Sequence, residues 1–147
     1  MIGKRKKFDS KLHEQNDGIA KTKIKEVLSC ILKDGVSITE NQNKYSVDLV
    51  LLYNNKIIGV AECERKLVWG DCEFPYDSIQ FPERKAKFAN LGCPVMFCML
   101  NKQCNRLAVV MGKTLLNSPK KQIANKYIAS GEYFFQVPTN KAMFFNV

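Results

Sequence analysis

Histidine is almost missing from this chain, with His13 the only one, and the six cysteines (Cys30, Cys63, Cys72, Cys93, Cys98, Cys104) contain no C-x-x-C pair. A four-ligand zinc site is therefore not expected; Cys93 and Cys98, in or beside an apolar run, read as small hydrophobes, and the setting as reduced. No apolar stretch is long. The longest, 94–100, is far short of a bilayer span, and no hydrophobic segment follows the basic run at 4–7, so neither an anchor nor a secretory signal is expected. Internal repeats, low-complexity tracts and linkers are lacking too. At 147 residues this leaves one intracellular domain, with 1–16 as a basic and mobile N-terminal arm. Acidic residues are scarce as well: 14 Asp+Glu against 23 Lys+Arg give a net charge of +9. That excess points to a polyanionic partner, nucleic acid before membrane.

The chain is otherwise of globular composition, with 46% hydrophobic and 25% charged residues, which excludes a wholly disordered polymer. Asp17 is the expected N-cap of a first helix, whose apolar positions Ala20, Ile24, Val27, Leu28 and Ile31 recur at helical spacing. Gly35 lies just beyond, and Lys21, Lys25 and Lys33 occupy the opposite, basic face. Strands are expected at 36–39, 46–53 and 56–64, the last two joined through Asn54-Asn55, a two-residue hairpin turn. Their near-continuous apolar character predicts a sheet covered on both faces. A loop at 67–79 precedes a helix from Pro82 to about Asn90. Strands at 95–100 and 107–111 follow, then a long helix opened by Ser118-Pro119 and closing near Gly131, then a last strand at 133–137. The expected fold is α/β: a single domain with a central mixed sheet flanked by helices.

The chemistry concentrates on Asp48, Glu62 and Glu64. Alternation along a strand puts Glu62, Glu64 and Lys66 on one face. A turn centred between Asn54 and Asn55 pairs position 62 near 47, one step from Asp48. Like charges that close shift their pKa values or take up a cation, and oxygen ligands suit Mg²⁺, with Mn²⁺ substituting. Such an ion in a basic protein can polarise a phosphodiester and generate hydroxide.

Val47-Asp48-Leu49 followed by Val60-Ala61-Glu62-Cys63-Glu64-Arg65-Lys66 resembles the core of the PD-(D/E)xK nucleases, an Asp, a gap, then Glu-x-Lys on the next strand. The order helix, three-strand meander, helix, strand is similar to that family's αβββαβ, restriction-endonuclease-like core. Glu64 stands where the family usually carries lysine, as in its Glu-x-Glu variants; alternatively Glu64-x-Lys66 fills the pattern two positions on. The succession Glu62, Glu64, Trp69, Pro82, Arg84, Lys85 also resembles small phage nucleases. The resemblance implies a metal-dependent DNA endonuclease, homing- or restriction-like, working with one or two Mg²⁺ on double-stranded DNA and commonly dimeric. Asp48, Glu62 and Glu64 are then the expected ligands and Lys66 the catalytic helper. Gln80, Arg84 and Lys85 from the next helix support or bind phosphate, as does an acidic residue of the first helix, Glu26 before Glu14 or Asp17. The other readings are a Holliday-junction resolvase and a non-catalytic nucleic-acid-binding module of the same fold. Trp69 is expected to pack rather than stack on a base, and Phe144-Phe145 to serve the core or a dimer interface.

Overall fold

A computed structural model describes residues 10–41, 47–124 and 130–147, with 10–17 described by backbone alone. The chain runs α1 (Ser10–Ile31), β1 (Val36–Glu40), β2 (Leu49–Tyr53), β3 (Lys56–Lys66), β4 (Ser78–Pro82), a 3-10 turn (Glu83–Lys85) and α2 (Ala86–Ala89). It continues through β5 (Val95–Asn101), β6 (Arg106–Met111), α3 (Gly112–Leu116), β7 (Lys120–Ile123), β8 (Glu132–Pro138), a second 3-10 turn (Thr139–Lys141) and β9 (Met143–Asn146). Six strands form one mixed sheet in the order β1-β2-β3-β5-β6-β9, and β4-β8-β7 form a second, smaller one. Within the large sheet only β3 and β5 run parallel, joined by the crossover that carries β4 and α2. The single α/β domain with a mixed sheet is as expected; the αβββαβ order holds for α1, the large-sheet strands and α2, with β4 of the small sheet inserted before α2.

Both faces of the large sheet are covered. Helix α1 lays Ala20, Ile24, Val27 and Leu28 on one face, against Leu49, Leu51, Ala61, Cys63, Cys98 and Leu100. The small sheet and α2 cover the other, where Ile79, Phe81, Phe88, Phe135 and Val137 meet Val60, Phe97, Met99 and Val110. This two-sided burial accounts for the apolar run of β2 and for the buried, largely apolar run of β3 from Gly59 to Cys63, while Ile57 and Ile58 near the hairpin tip are exposed. At the tip of their hairpin Asn54 and Asn55 take φ of +52° and +62°, the left-handed pair that a tight two-residue turn requires. Trp69 packs, as expected: it is fully buried, and its indole N–H donates to the Cys72 carbonyl at 2.8 Å.

Several elements depart from the sequence reading, which has neither α3 nor β9 and places its last strand at 133–137. Helix α1 begins at Ser10, seven residues before Asp17, so residues 10–16 belong to the helix rather than to an arm. The arm at 1–9, the side chains of His13, Glu14 and Asp17, and Ser46 lie outside the described residues. The expected helix from Pro82 is shorter, because Ser78–Pro82 is a strand and helical backbone starts only at Glu83. The expected helix after Pro119 is instead strand β7, which pairs with β8 as Lys120↔Phe135 through Ile123↔Glu132; residues 125–129 are outside the description. Among the described residues no helix is long and apolar enough to cross a membrane.

Gly112 sits where α2, α3 and β5 meet. A Cβ there would clash with Val95 Cγ1 and lie 3.3 Å from Ala89 Cβ. Gly112→Ala is therefore expected to destabilise the fold by about 1–3 kcal/mol, the usual cost of overpacking, as read by urea unfolding. An unchanged midpoint would mean that Val95 moves aside freely.

Candidate active site

The hairpin that carries the acidic residues is not regular. Tyr53 pairs with Lys56 and Leu52 with Ile57, but Leu51 pairs with Gly59, so Ile58 is an extra residue bulged out of the ladder. The bulge shifts the register by one, and Leu49 then faces Ala61. Asp48, expected one step from Glu62, comes directly opposite it.

Two reciprocal hydrogen bonds close this end of the hairpin. The Asp48 backbone N–H donates to Glu62 Oε2 at 3.0 Å, and the Cys63 N–H donates to Asp48 Oδ2 at 2.8 Å. The other carboxylate oxygens each face an ammonium. Lys85, in the 3-10 turn after β4, donates to Glu62 Oε1 at 2.8 Å. Lys21 of α1 places Nζ 3.8 Å from Asp48 Oδ1. The two cations arrive from opposite layers of the domain, so the site forms only where helix layer, large sheet and small sheet meet.

Glu62 is 6% exposed, against an apolar wall that includes Phe81 and Phe97. Burial is the main cause that raises its pKa from 4.5 to about 7; Lys85 pulls the other way, and the neighbouring Asp48 reinforces the rise. Burial likewise pushes Cys98 up to about 12 and Cys63 well above the ordinary thiol value. These two thiols are protonated at neutral pH and are poor nucleophiles or ligands.

The expected three-carboxylate ligand set is not preassembled. Among the described residues no three His, Cys, Asp or Glu groups converge in a way that could hold a metal ion. Glu64 lies two residues along the strand, roughly 7 Å further on the same face. It lines the same small recess as Glu62 and Lys85 and has no hydrogen-bond or ion-pair partner among the described residues. What converges is a pair, Asp48 and Glu62. A pair suits Mg²⁺, which commonly takes one or two carboxylates from a protein and completes its shell with water and phosphate.

The expected supporting residues divide sharply. Lys66 starts four residues beyond Glu62, roughly 13 Å along the strand, whereas Lys85 touches it. Arg84 turns away to Glu132, with Nη1 at 2.9 and 3.2 Å from its carboxylate oxygens. Gln80 is exposed and donates to Gln136 at 3.4 Å. Glu26 is exposed on α1 and pairs with Lys23 at 3.9 Å, so α1 contributes no described carboxylate to the site. It contributes Lys21, which the sequence reading left on the basic solvent face. Its proximity to the apolar stripe at Ala20 and Ile24 was the available signal. No protein-family model matches the chain, and no curated protein or solved structure does either.

Proposed function

We propose that the protein is a metal-dependent DNA endonuclease that hydrolyses phosphodiester bonds at the Asp48–Glu62 pair. The observation that carries this reading is the pair itself: two carboxylates held opposite each other at the end of a buried hairpin, each facing a lysine, in a chain of net charge +9. Asp48 and Glu62 would hold Mg²⁺ or Mn²⁺, and the ion would supply Lewis-acid stabilisation of the phosphate and an activated water. Lys85 is the cation nearest the buried carboxylate, so it takes the part that the PD-(D/E)xK pattern gives to its motif lysine, steadying charge on the phosphate oxygens. Glu64 adds a free carboxylate to the same recess. The remaining lysines supply salt-sensitive attraction for the duplex.

The testing experiment is nicking of supercoiled plasmid in Mg²⁺ or Mn²⁺, with EDTA as control. Metal-dependent nicking supports the reading. A second reading, a nucleic-acid-binding module without turnover, draws on the fact that Lys21 and Lys85 already neutralise both carboxylates. It requires salt-dependent DNA binding with no cleavage of duplex, junction or single-stranded substrates.

The two lysines separate in the same assay. Lys85→Met is expected to lower nicking by about 10²-fold, the loss typical of one transition-state donor, while Lys66→Met stays within about threefold. The reverse order would return the motif lysine to position 66.

A further inference from the structure

A second cavity opens away from the carboxylate pair, beyond the end of β3. It has a volume of about 330 Å³, at the lower end of the range of ligand sites. Trp69 and Phe74 meet edge to face at 5.3 Å and 86°, and Phe144 stands 6.3 Å from each. Phe144 is 43% exposed and Tyr76, edge-on to Phe74, is 50% exposed, so aromatic surface is left open to solvent beside the cavity.

Polar groups line the same space. Arg106 on β6 and Asn146 on β9 are register partners, so their side chains share the face on which Phe144 stands. Among the described residues the Arg106 guanidinium spends one hydrogen bond, from Nη1 to Asn146 Oδ1 at 3.3 Å. Its Nε is buried with no hydrogen-bond partner, at 3.7 Å from Asp71 Oδ1. A guanidinium has five donors, so most of this one is unspent.

These observations specify an occupant. The rings ask for a flat aromatic face, and Arg106 asks for acceptors on that ring's edge. An aliphatic side chain would leave the donors unpaired. A bare phosphate would make no use of the rings, and it would meet Glu73 and Asp71 beside the arginine. A heteroaromatic ring with carbonyl or ring-nitrogen acceptors satisfies both demands. We propose that the cavity formed by Trp69, Phe74, Phe144 and Arg106 binds one unpaired nucleobase. That this base belongs to the substrate strand rests on the nuclease reading; base binding itself does not.

Trp69 is the only tryptophan and lines the cavity, so its fluorescence reports occupancy directly. Wild-type protein would be titrated with adenosine and guanosine 5′-monophosphates, with ribose 5-phosphate as the baseless control. The expected result is saturable quenching by the nucleotides and none by the sugar phosphate. Phe144→Ala and Arg106→Gln are each expected to weaken the response at least about fivefold. Phe144→Leu, which keeps apolar cover and loses the ring, is expected to weaken it too, and so separates stacking from any loss of folding seen by thermal melting. No saturable response, an equal response to ribose 5-phosphate, or an undiminished response in Phe144→Leu would overturn the proposal. So would a dimer that Phe144→Ala converts to monomer with no nucleotide effect, since the patch would then be filled by a second copy. Glu62→Ala should retain the quenching, so failure of the base site and failure of the nuclease reading give different results.

Discussion

Glu62→Ala is expected to abolish metal-dependent nicking, by at least about 10²-fold, since removing even an outer partner of a metal ligand typically costs 10–100-fold. The substitution removes three things together. It takes away an oxygen donor, the anchor that fixes Lys85 at 2.8 Å, and the acceptor for the Asp48 N–H. Asp48→Asn should fall in the same range, because Oδ2 could still accept from the Cys63 N–H while the negative charge is gone. Glu26→Ala should cut at the wild-type rate within about twofold, since Glu26 is exposed and paired with Lys23. Single-turnover nicking at saturating Mg²⁺, with circular dichroism to confirm folding, makes the comparison. Equal cleavage by wild type and Glu62→Ala would move the active site elsewhere on the molecule.

The second large effect is on stability, and it runs against activity. The Glu62 carboxyl titrates near pH 4.5 when unfolded and at about 7 when folded. Between those values the folded protein holds the extra proton, so this group's contribution is fully present below pH 4.5 and is lost as pH rises through about 7. The shift corresponds to about 3 kcal/mol. Glu62→Gln cannot titrate and should lack that component. Urea unfolding at pH 5, 6, 7 and 8 should show the mutant gaining on wild type by about 1–3 kcal/mol across the range, while losing nicking. Metal binding needs the ionised carboxylate, so apparent Mg²⁺ affinity should rise up to about tenfold per pH unit below 7 and level off above it. A mutant-minus-wild-type difference that is flat from pH 5 to 8 would mean that Glu62 stays ionised throughout, held by Lys85.

Much of the framework was legible because the signals were local. Asn54-Asn55 announced a hairpin, and alternation put Glu62 and Glu64 on one face. The apolar runs of β2 and β3 announced cover on both sides, which α1 and the small sheet provide. What escaped depended on partners distant in sequence. The segment after Pro119 carries good helix signals, yet pairing with β8 made Lys120–Ile123 a strand, as tertiary context often overrides propensity. Glu26 was the acidic residue with a suitable position in the chain. Facing, however, follows helix rotation: five residues set it roughly 140° round α1 from Lys21, which is the residue near Asp48. Lys85 was legible as a supporting cation; its contact with Glu62 was not, because that contact needs the crossover between β3 and β5 to fold back.

The bulged Ile58 also decides which of two hairpins the chain can adopt. Without it, the same turn and the same strands would pair one residue out of step, placing Val47 across from Glu62 and Asp48 across from Ala61. Ala61 belongs to the apolar layer beneath α1. In that competitor one carboxylate would press on aliphatic side chains and the other would face a valine, each without the backbone N–H it accepts from in the native register. Burying an unpaired charge is among the costliest errors a fold can make. The hydrogen bonds of Asp48 and Glu62 with the backbone therefore favour the native register over its one-residue slip.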